Sequence, residues 1–383
     1  MSAARRAVRL GLLVALLAVT VAIYFYRELE YPPAPPTGEE VTVLFPFGTS
    51  TADIFRRLEA EGVVKPAWLA EVYYRLARSA TSLQAGEYRF ERPTPLSVVI
   101  ARMGRGDVLR HSIVVPEGLT AEETFELFWS RGISRPEAFR NALRNPQLVA
   151  SIARGAPDLE GFLFPDTYVV TRSTSARQIV ETMLANFRRQ FTPEMRARAQ
   201  EAGLSERDAV ILASIVQKET SLDREAPLIA GVYWNRLRHR MRLQADPTVT
   251  YSLKRDGRWT GTLYRSDYGY ESPFNTYLFE GLPPGPICNP GLDALKAAVA
   301  PVKTEFLYFV ADRSGGHTFS KTFQEHLDAI ASARRLGADR REGADLRRSP
   351  DRRGGGDHRD GAGSTPDRSK GLGSEPHGRK SGR

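Results

Sequence analysis

The first pattern along the chain is an uncharged apolar run from Leu10 to Tyr26, preceded by Arg5, Arg6 and Arg9 and closed by Tyr24, Phe25 and Tyr26. Its length is at the short limit for crossing a ~30 Å hydrocarbon core, and the aromatic cluster suits a membrane interface. Arginines on its N-terminal side predict a cytoplasmic stretch 1–9, a transmembrane anchor 10–26 and an exported remainder. A cleaved signal peptide is the competing reading, but the run is long for a signal core, and bulky Tyr24-Phe25-Tyr26 follows the small residues where a peptidase would cut. Residues 27–39 form a linker whose Tyr31–Pro36 segment is a stiff, extended polyproline spacer that lifts the rest of the chain off the membrane.

Beyond the linker, Val41–Phe45 reads as a strand, and Ser50 or Thr51 caps a helix carrying Ile54 and Leu58. A second helical stretch spans Trp68 to Ala77, and Leu83–Phe90 gives a turn and a returning strand. Strand, helix, helix, strand within residues 40–112 is a small α/β module. The arrangement resembles LysM-type modules, which bind N-acetylated glycans; a plain structural subdomain is the equal alternative.

The larger region, 113–337, mixes short strands with helices. His111–Val115 is a strand ending in a Pro116-Glu117-Gly118 turn, and Thr120 caps the helix bearing Phe125, Leu127 and Phe128. Leu159–Tyr168 mixes acids with apolar residues in neither a helical nor a strand period. That predicts a loop lining a cleft, with Glu160 and Asp166 as polar groups on an aromatic bed. Ser175 caps a helix running to Phe191. Asp223, Asp246 and Asn289 are placed as starts of later helices, each with a proline nearby. Phe306–Ala311 is a strand, Gly315–Phe319 a tight turn, and a last helix ends near Leu336. The fold class expected is therefore α+β: one N-terminal transmembrane helix, a LysM-like module, a mixed catalytic domain and a disordered tail, 338–383.

One helix carries the sharpest chemical signal. Ser205 and Asp208 form a capping box, and Leu212, Ile215 and Val216 come after it on one face. Glu219 lies seven, four and three residues beyond them, hence on that apolar face, while Gln217 and Lys218 point elsewhere. A carboxyl among apolar neighbours loses hydration, which raises its pKa toward that of a general acid. A glutamate paired to one of the many arginines at a helix end is the structural alternative.

Composition narrows the field. Hydrophobic content of 41% is ample for a core, and the single cysteine, Cys288, excludes an internal disulfide and a Cys-rich zinc site. The six histidines stand at no metal-ligand spacing. No glycine-rich phosphate cradle and no Gly-x-Ser-x-Gly elbow occurs. The expectation is thus no cofactor and no metal. The formal charge is +9, unevenly spread, and part of the arginine excess sits in the tail. An exported tail does not meet DNA, so no nucleic-acid partner is expected. Loops dense in amides, hydroxyls and rings, Ser272–Tyr277 and Gly281–Pro286, suit a sugar chain, whose rings have apolar faces and hydroxyl rims.

These segments, taken together, resemble the YceG/MltG family of membrane-anchored endolytic murein transglycosylases. The likeness rests on Ala213–Thr220, Asn235-Arg236-Leu237, Met241–Val249, Asn275-Thr276-Tyr277, Gly281–Pro286, Leu307–Asp312 with Gly315–Phe319, and Leu159–Tyr168. It covers roughly residues 40 to 335. The resemblance implies that Glu219 is the catalytic acid. Many members have Glu where this chain has Gln217, so Glu219 is the acid that remains. It further implies cleavage of the β-1,4 bond between N-acetylmuramic acid and N-acetylglucosamine in nascent peptidoglycan. The muramoyl 6-hydroxyl would close on C1 to leave a 1,6-anhydro end and terminate strand growth. Asn235, Gln244, Asp246, Asn275, Thr276 and Tyr277 become candidate glycan contacts alongside Glu160 and Asp166, though folding their loops is an equal reason for them. The partners implied are glycan strands, the inner membrane crossed once with the catalytic domain in the periplasm, and a peptidoglycan synthase. Two alternatives stay open: a hydrolase pairing Glu219 with Asp246 or Asp166, and an inactive glycan-binding tether that recruits synthases.

Overall fold

A computed structural model describes residues 3–30, 38–76, 82–150, 153, 155–220, 222–312, 315–333 and 335. The polyproline spacer and the arginine-rich tail lie outside the described residues. Helix α1, Ala3–Glu30, contains a stretch Val8–Glu30 long and apolar enough to cross a membrane. It does not stop at the apolar run. Leu29 is buried in the core of the adjoining module, and the Glu30 carboxylate accepts hydrogen bonds from the Ser97 N–H at 3.1 Å and the Ser97 hydroxyl at 2.5 Å. Helix α1 thus docks on the module directly through its last residues.

In the module, β1 (Glu40–Phe45) pairs antiparallel with β2 (Gly86–Glu91), Val43 opposite Tyr88. Between them run α2 (Thr51–Ala60), capped by Ser50, and α3 (Ala67–Leu76). This is the order expected from the sequence. An additional helix, α4 (Leu96–Arg105), ends at Gly106, whose φ of 66° is a left-handed cap. Phe45, Phe55, Leu58, Tyr88, Phe90, Val99 and Met103 are fully buried between these elements.

The larger body has its own core. A two-stranded ladder, β3 (His111–Val114) with β4 (Thr167–Val170), flanks α5 (Ala121–Trp129), α6 (Pro136–Leu143) and α7 (Ala176–Gln190). Next come α8 (Pro193–Glu201), α9 (Glu206–Glu219), α10 (Ala226–Arg238), α11 (Asp246–Arg255) and α12 (Leu292–Val299). A second ladder, β5 (Tyr308–Ala311) with β6 (His317–Ser320), and helical residues 323–333 complete it. Helix α9 is central and is packed by α8, α10, α11 and α12. Every residue from Ala209 to Val216 is buried, so α9 is a core helix on all sides. The module is tied to this body by Glu87 on β2, a buried carboxylate that accepts from Arg172 Nε at 2.8 Å and meets His111 Nε2 at 2.5 Å.

Three helix starts differ from expectation. Asp223 begins a short 3-10 turn, Asp223–Glu225, and α10 starts at Ala226 with Pro227 in its first turn. Asp246 is the first residue of α11 and makes no capping bond. Asn289 precedes α12 by three residues and is fully buried. Asp246 and Asn289 spend their side chains on distant segments instead of on the local helix end. The Gly315–Phe319 segment, expected as a turn, supplies strand β6 from His317 onward.

Candidate active site

Glu219 is the last residue of α9. The helix begins at a capping box in which Ser205 and Asp208 satisfy each other's backbone, and the aliphatic residues between them and Glu219 bury it in the core. That delivers the carboxyl to the edge of the core, where it is partly exposed to a cavity of about 380 Å³. Helix α10 packs on α9 and brings in Tyr233, whose hydroxyl donates to Glu219 Oε1 at 3.0 Å. Burial pushes the Glu219 carboxyl up to about 7. The charge of Asp246 pushes it the same way, while the Tyr233 hydroxyl and the Arg236 guanidinium oppose.

The cavity is also lined by Gly118, Thr120, Glu123, Lys218, Asp246, Tyr251 and Lys254. Lys218, expected to point elsewhere, donates to the Gly118 carbonyl at 3.3 Å and belongs to the wall. Gln217 does turn away: its Oε1 accepts the Gly291 N–H at 2.8 Å, at the start of α12. A second cavity of about 690 Å³ shares Thr120, Glu123, Tyr251 and Lys254 with the first and adds Arg144, Asp158, Glu160 and Arg255. The two adjoin across the Glu123–Lys254 ion pair, 2.7 Å, and make an elongated cleft with polar groups set in largely apolar walls.

Asp246, at the start of α11, is exposed and accepts from the Tyr277 hydroxyl at 2.5 Å and the Tyr268 hydroxyl at 3.2 Å. These two rings lie 4.6 Å apart, so an acid and two phenols form one rim of the cleft. Gln244 is exposed beside it, in the left-handed region with φ 50°, and its N–H donates to the Thr276 carbonyl. Glu160 is buried, and both its oxygens accept the Ala121 N–H, at 3.0 and 3.2 Å, at the start of α5. Burial, then the charge of Asp158, pushes it up to about 8.

Other candidates from the sequence sit in the framework. Asn275 is fully buried; its amide donates to the Tyr268 and Tyr270 carbonyls and its oxygen accepts the Tyr277 N–H. Thr276 is buried and accepts the Ala245 N–H. Asn235 donates to the Thr304 and Phe306 carbonyls, pinning the segment that leads into β5. Asp166 accepts from Asn186 at 2.7 Å beside the β3–β4 ladder and is not in the cleft wall. Glu219, Asp246 and Glu160 are thus brought into the cleft walls, with Tyr277 beside Asp246. Tyr233, Tyr251, Tyr268 and the Glu123–Lys254 pair are site residues that the sequence pattern does not single out. The one hint is a tyrosine, Tyr233, in an otherwise aliphatic stripe.

Fold and site describe a mixed α+β protein with, among the described residues, one long apolar N-terminal helix and two carboxylic acids of raised pKa, Glu219 and Glu160, in the walls of one cleft. The chain belongs to the YceG-like family, which matches residues 43–332. It is similar to the endolytic murein transglycosylase of Bacillus subtilis (strain 168), 28% identical over 321 residues, 80% of this chain and 88% of that protein. The endolytic murein transglycosylase of Streptococcus pneumoniae (strain D39) is also 28% identical, over 75% of this chain and 57% of its own length. Among solved structures, a yceG-like protein of Listeria monocytogenes matches at 30% identity with a TM-score of 0.51, covering 76% of this chain and 99% of that one.

Proposed function

We propose that this chain is a membrane-anchored lytic transglycosylase. It cuts the β-1,4 bond between N-acetylmuramic acid and N-acetylglucosamine in nascent peptidoglycan and ends strand growth. The observation that carries this reading is Glu219: a carboxyl at the edge of the core, raised to about 7, facing the cleft and held by Tyr233. Membership of the YceG-like family and the names of the curated relatives support it.

In the proposed reaction, protonated Glu219 gives its proton to the glycosidic oxygen as the bond to C1 of the muramoyl residue breaks. The carboxylate left behind takes the proton of the 6-hydroxyl as that oxygen bonds to C1. The acid is regenerated, and the product carries a 1,6-anhydro end. Because the sugar provides its own nucleophile, no second carboxylate need hold a water, unlike the paired acids of glycoside hydrolysis. A pKa near the working pH suits one group to both steps. Tyr233 holds the carboxyl in one orientation and supports the charged form between them. Asp246 with Tyr268 and Tyr277 forms the rim over which a sugar is laid, and the wall shared with the second cavity extends the path for the strand. A LysM-like role for the module would add a second glycan contact.

Arg5, Arg6 and Arg9, in the first turns of α1, support a cytoplasmic N-terminus with the cleft in the periplasm, on the side of the growing strand. Digestion of purified glycan strands in isotopically labelled water tests the chemistry. The proposal predicts anhydro ends without solvent oxygen; reducing ends carrying the label would instead make the enzyme a hydrolase.

A further inference from the structure

Helix α3 is apolar on two faces. Its inner side buries Ala67 and Ala70, and Tyr74 packs on Phe55 of α2 with ring centroids 5.9 Å apart. Its outer side carries Trp68, Val72 and Leu76, four residues apart and so in one stripe, exposed by 59%, 42% and 77%. The two charged residues of α3, Glu71 and Arg75, pair with each other at 2.5 Å and leave that stripe bare. A helix at a water-facing surface turns polar residues outward, so a row of Trp, Val and Leu calls for a covering partner.

Position identifies the partner. The Trp68 ring meets Phe25 of α1 edge-on, with centroids 5.9 Å apart. Phe25 belongs to the aromatic cluster that closes the apolar run, the level at which rings sit at a bilayer interface. A side chain touching Phe25 is at that depth too. Burial of Leu29 in the module and the two bonds from Ser97 to Glu30 lock α1 to the module, so α3 does not swing away.

We propose that the outer face of α3, through Trp68, Val72 and Leu76, lies in the headgroup–acyl boundary of the bilayer that α1 crosses. The partner is phospholipid, and the inference rests on reading α1 as the anchor. The module is then seated on the membrane, and the Glu87 contacts to Arg172 and His111 pass its fixed height to the body that bears the cleft.

The test uses the full chain reconstituted in phosphatidylcholine–phosphatidylglycerol vesicles carrying doxyl-labelled lipids, with W68F as the reference that leaves the other tryptophans in place. The proposal predicts that the fluorescence lost in W68F is blue-shifted, strongly quenched by shallow doxyl labels and poorly quenched by aqueous iodide. It also predicts that V72D/L76D returns Trp68 to iodide while cleavage of soluble glycan in detergent is unchanged. Iodide quenching without doxyl quenching, in protein that floats with vesicles after an alkaline wash, overturns the proposal and leaves the anchor standing. Protection from both quenchers, with crosslinks from position 68 to another protein, overturns it in favour of a protein partner. Failure to float removes the anchor and the proposal together.

Discussion

The Tyr233 hydroxyl donates to Glu219 Oε1 across 3.0 Å, from the neighbouring helix and from within the core. That one bond opposes burial, the largest influence on Glu219, and favours the charged carboxylate needed between the two proton transfers. Tyr233→Phe should move the alkaline limb of the pH–rate profile to higher pH and slow turnover at neutral pH about tenfold. Glycan release measured from pH 5 to 9 checks both. An unmoved limb would mean the phenol does not set the acid.

Asp246 acts on the same group with opposite sign. Its charge raises Glu219, so Asp246→Asn should bring the alkaline limb to lower pH. Opposite displacements by the two variants, in one assay, would separate electrostatic tuning from simple damage to the cleft. Limbs displaced in the same direction would contradict the arrangement.

For the wild type, a carboxyl raised to about 7 is protonated below that pH and ionised above it. The first step needs the proton. Turnover should therefore fall about tenfold per pH unit on the alkaline side of 7. A profile flat to pH 9 would show that another group donates the proton.

Glu160 offers a test on stability. Its folded pKa, about 8, lies above the usual carboxyl value of 4.5, so folding favours the protonated form. The stability this brings is fully present below about 4.5 and is lost as pH rises through 8. Glu160→Gln, neutral throughout, should match the wild type in acid and exceed it by roughly 2–4 kcal/mol above pH 8. Glu160→Ala leaves the Ala121 N–H without its acceptor and should cost about 1–3 kcal/mol. Thermal unfolding in detergent across pH distinguishes these.

Asn289 is the buried fastener under the cleft. Its oxygen accepts the N–H groups of Gly161 and Leu163, and its amide donates to the Leu119 carbonyl and the Thr124 hydroxyl. Asn289→Ala strands the Gly161 and Leu163 N–H groups in the core and removes the bond to the Thr124 hydroxyl, while the Leu119 carbonyl keeps the backbone N–H of residue 289; it should destabilise by about 3 kcal/mol or more. A variant with unchanged Tm would contradict that role.

Where a helix end is made by local chemistry, its residues can be read directly. Ser50, Thr120, Ser175 and Ser205 all cap as their spacing predicts. The same residue types mislead wherever a distant partner claims the side chain, as tyrosines claim Asp246 and the Gly161 loop claims Asn289. Helices α4, α6 and α8 have no counterpart among the elements expected from the sequence. Helix α9 is buried on every side, so an apolar neighbourhood alone does not single out one face. What distinguishes Glu219 is its place at the helix end, where the core meets the cleft. Its hydroxyl partner, Tyr233, is fourteen residues away and is brought in only by the packing of α10 on α9, which no spacing along the chain reveals.

The most direct measurement is the mass of the ends released from purified glycan strands by the wild type and by Glu219→Gln at equal folded concentration. The account predicts 1,6-anhydromuramoyl ends from the wild type and a loss of at least a thousandfold, on the order of what a single acid–base group contributes, from the variant. Anhydro ends accumulating at comparable rates with both proteins would contradict it.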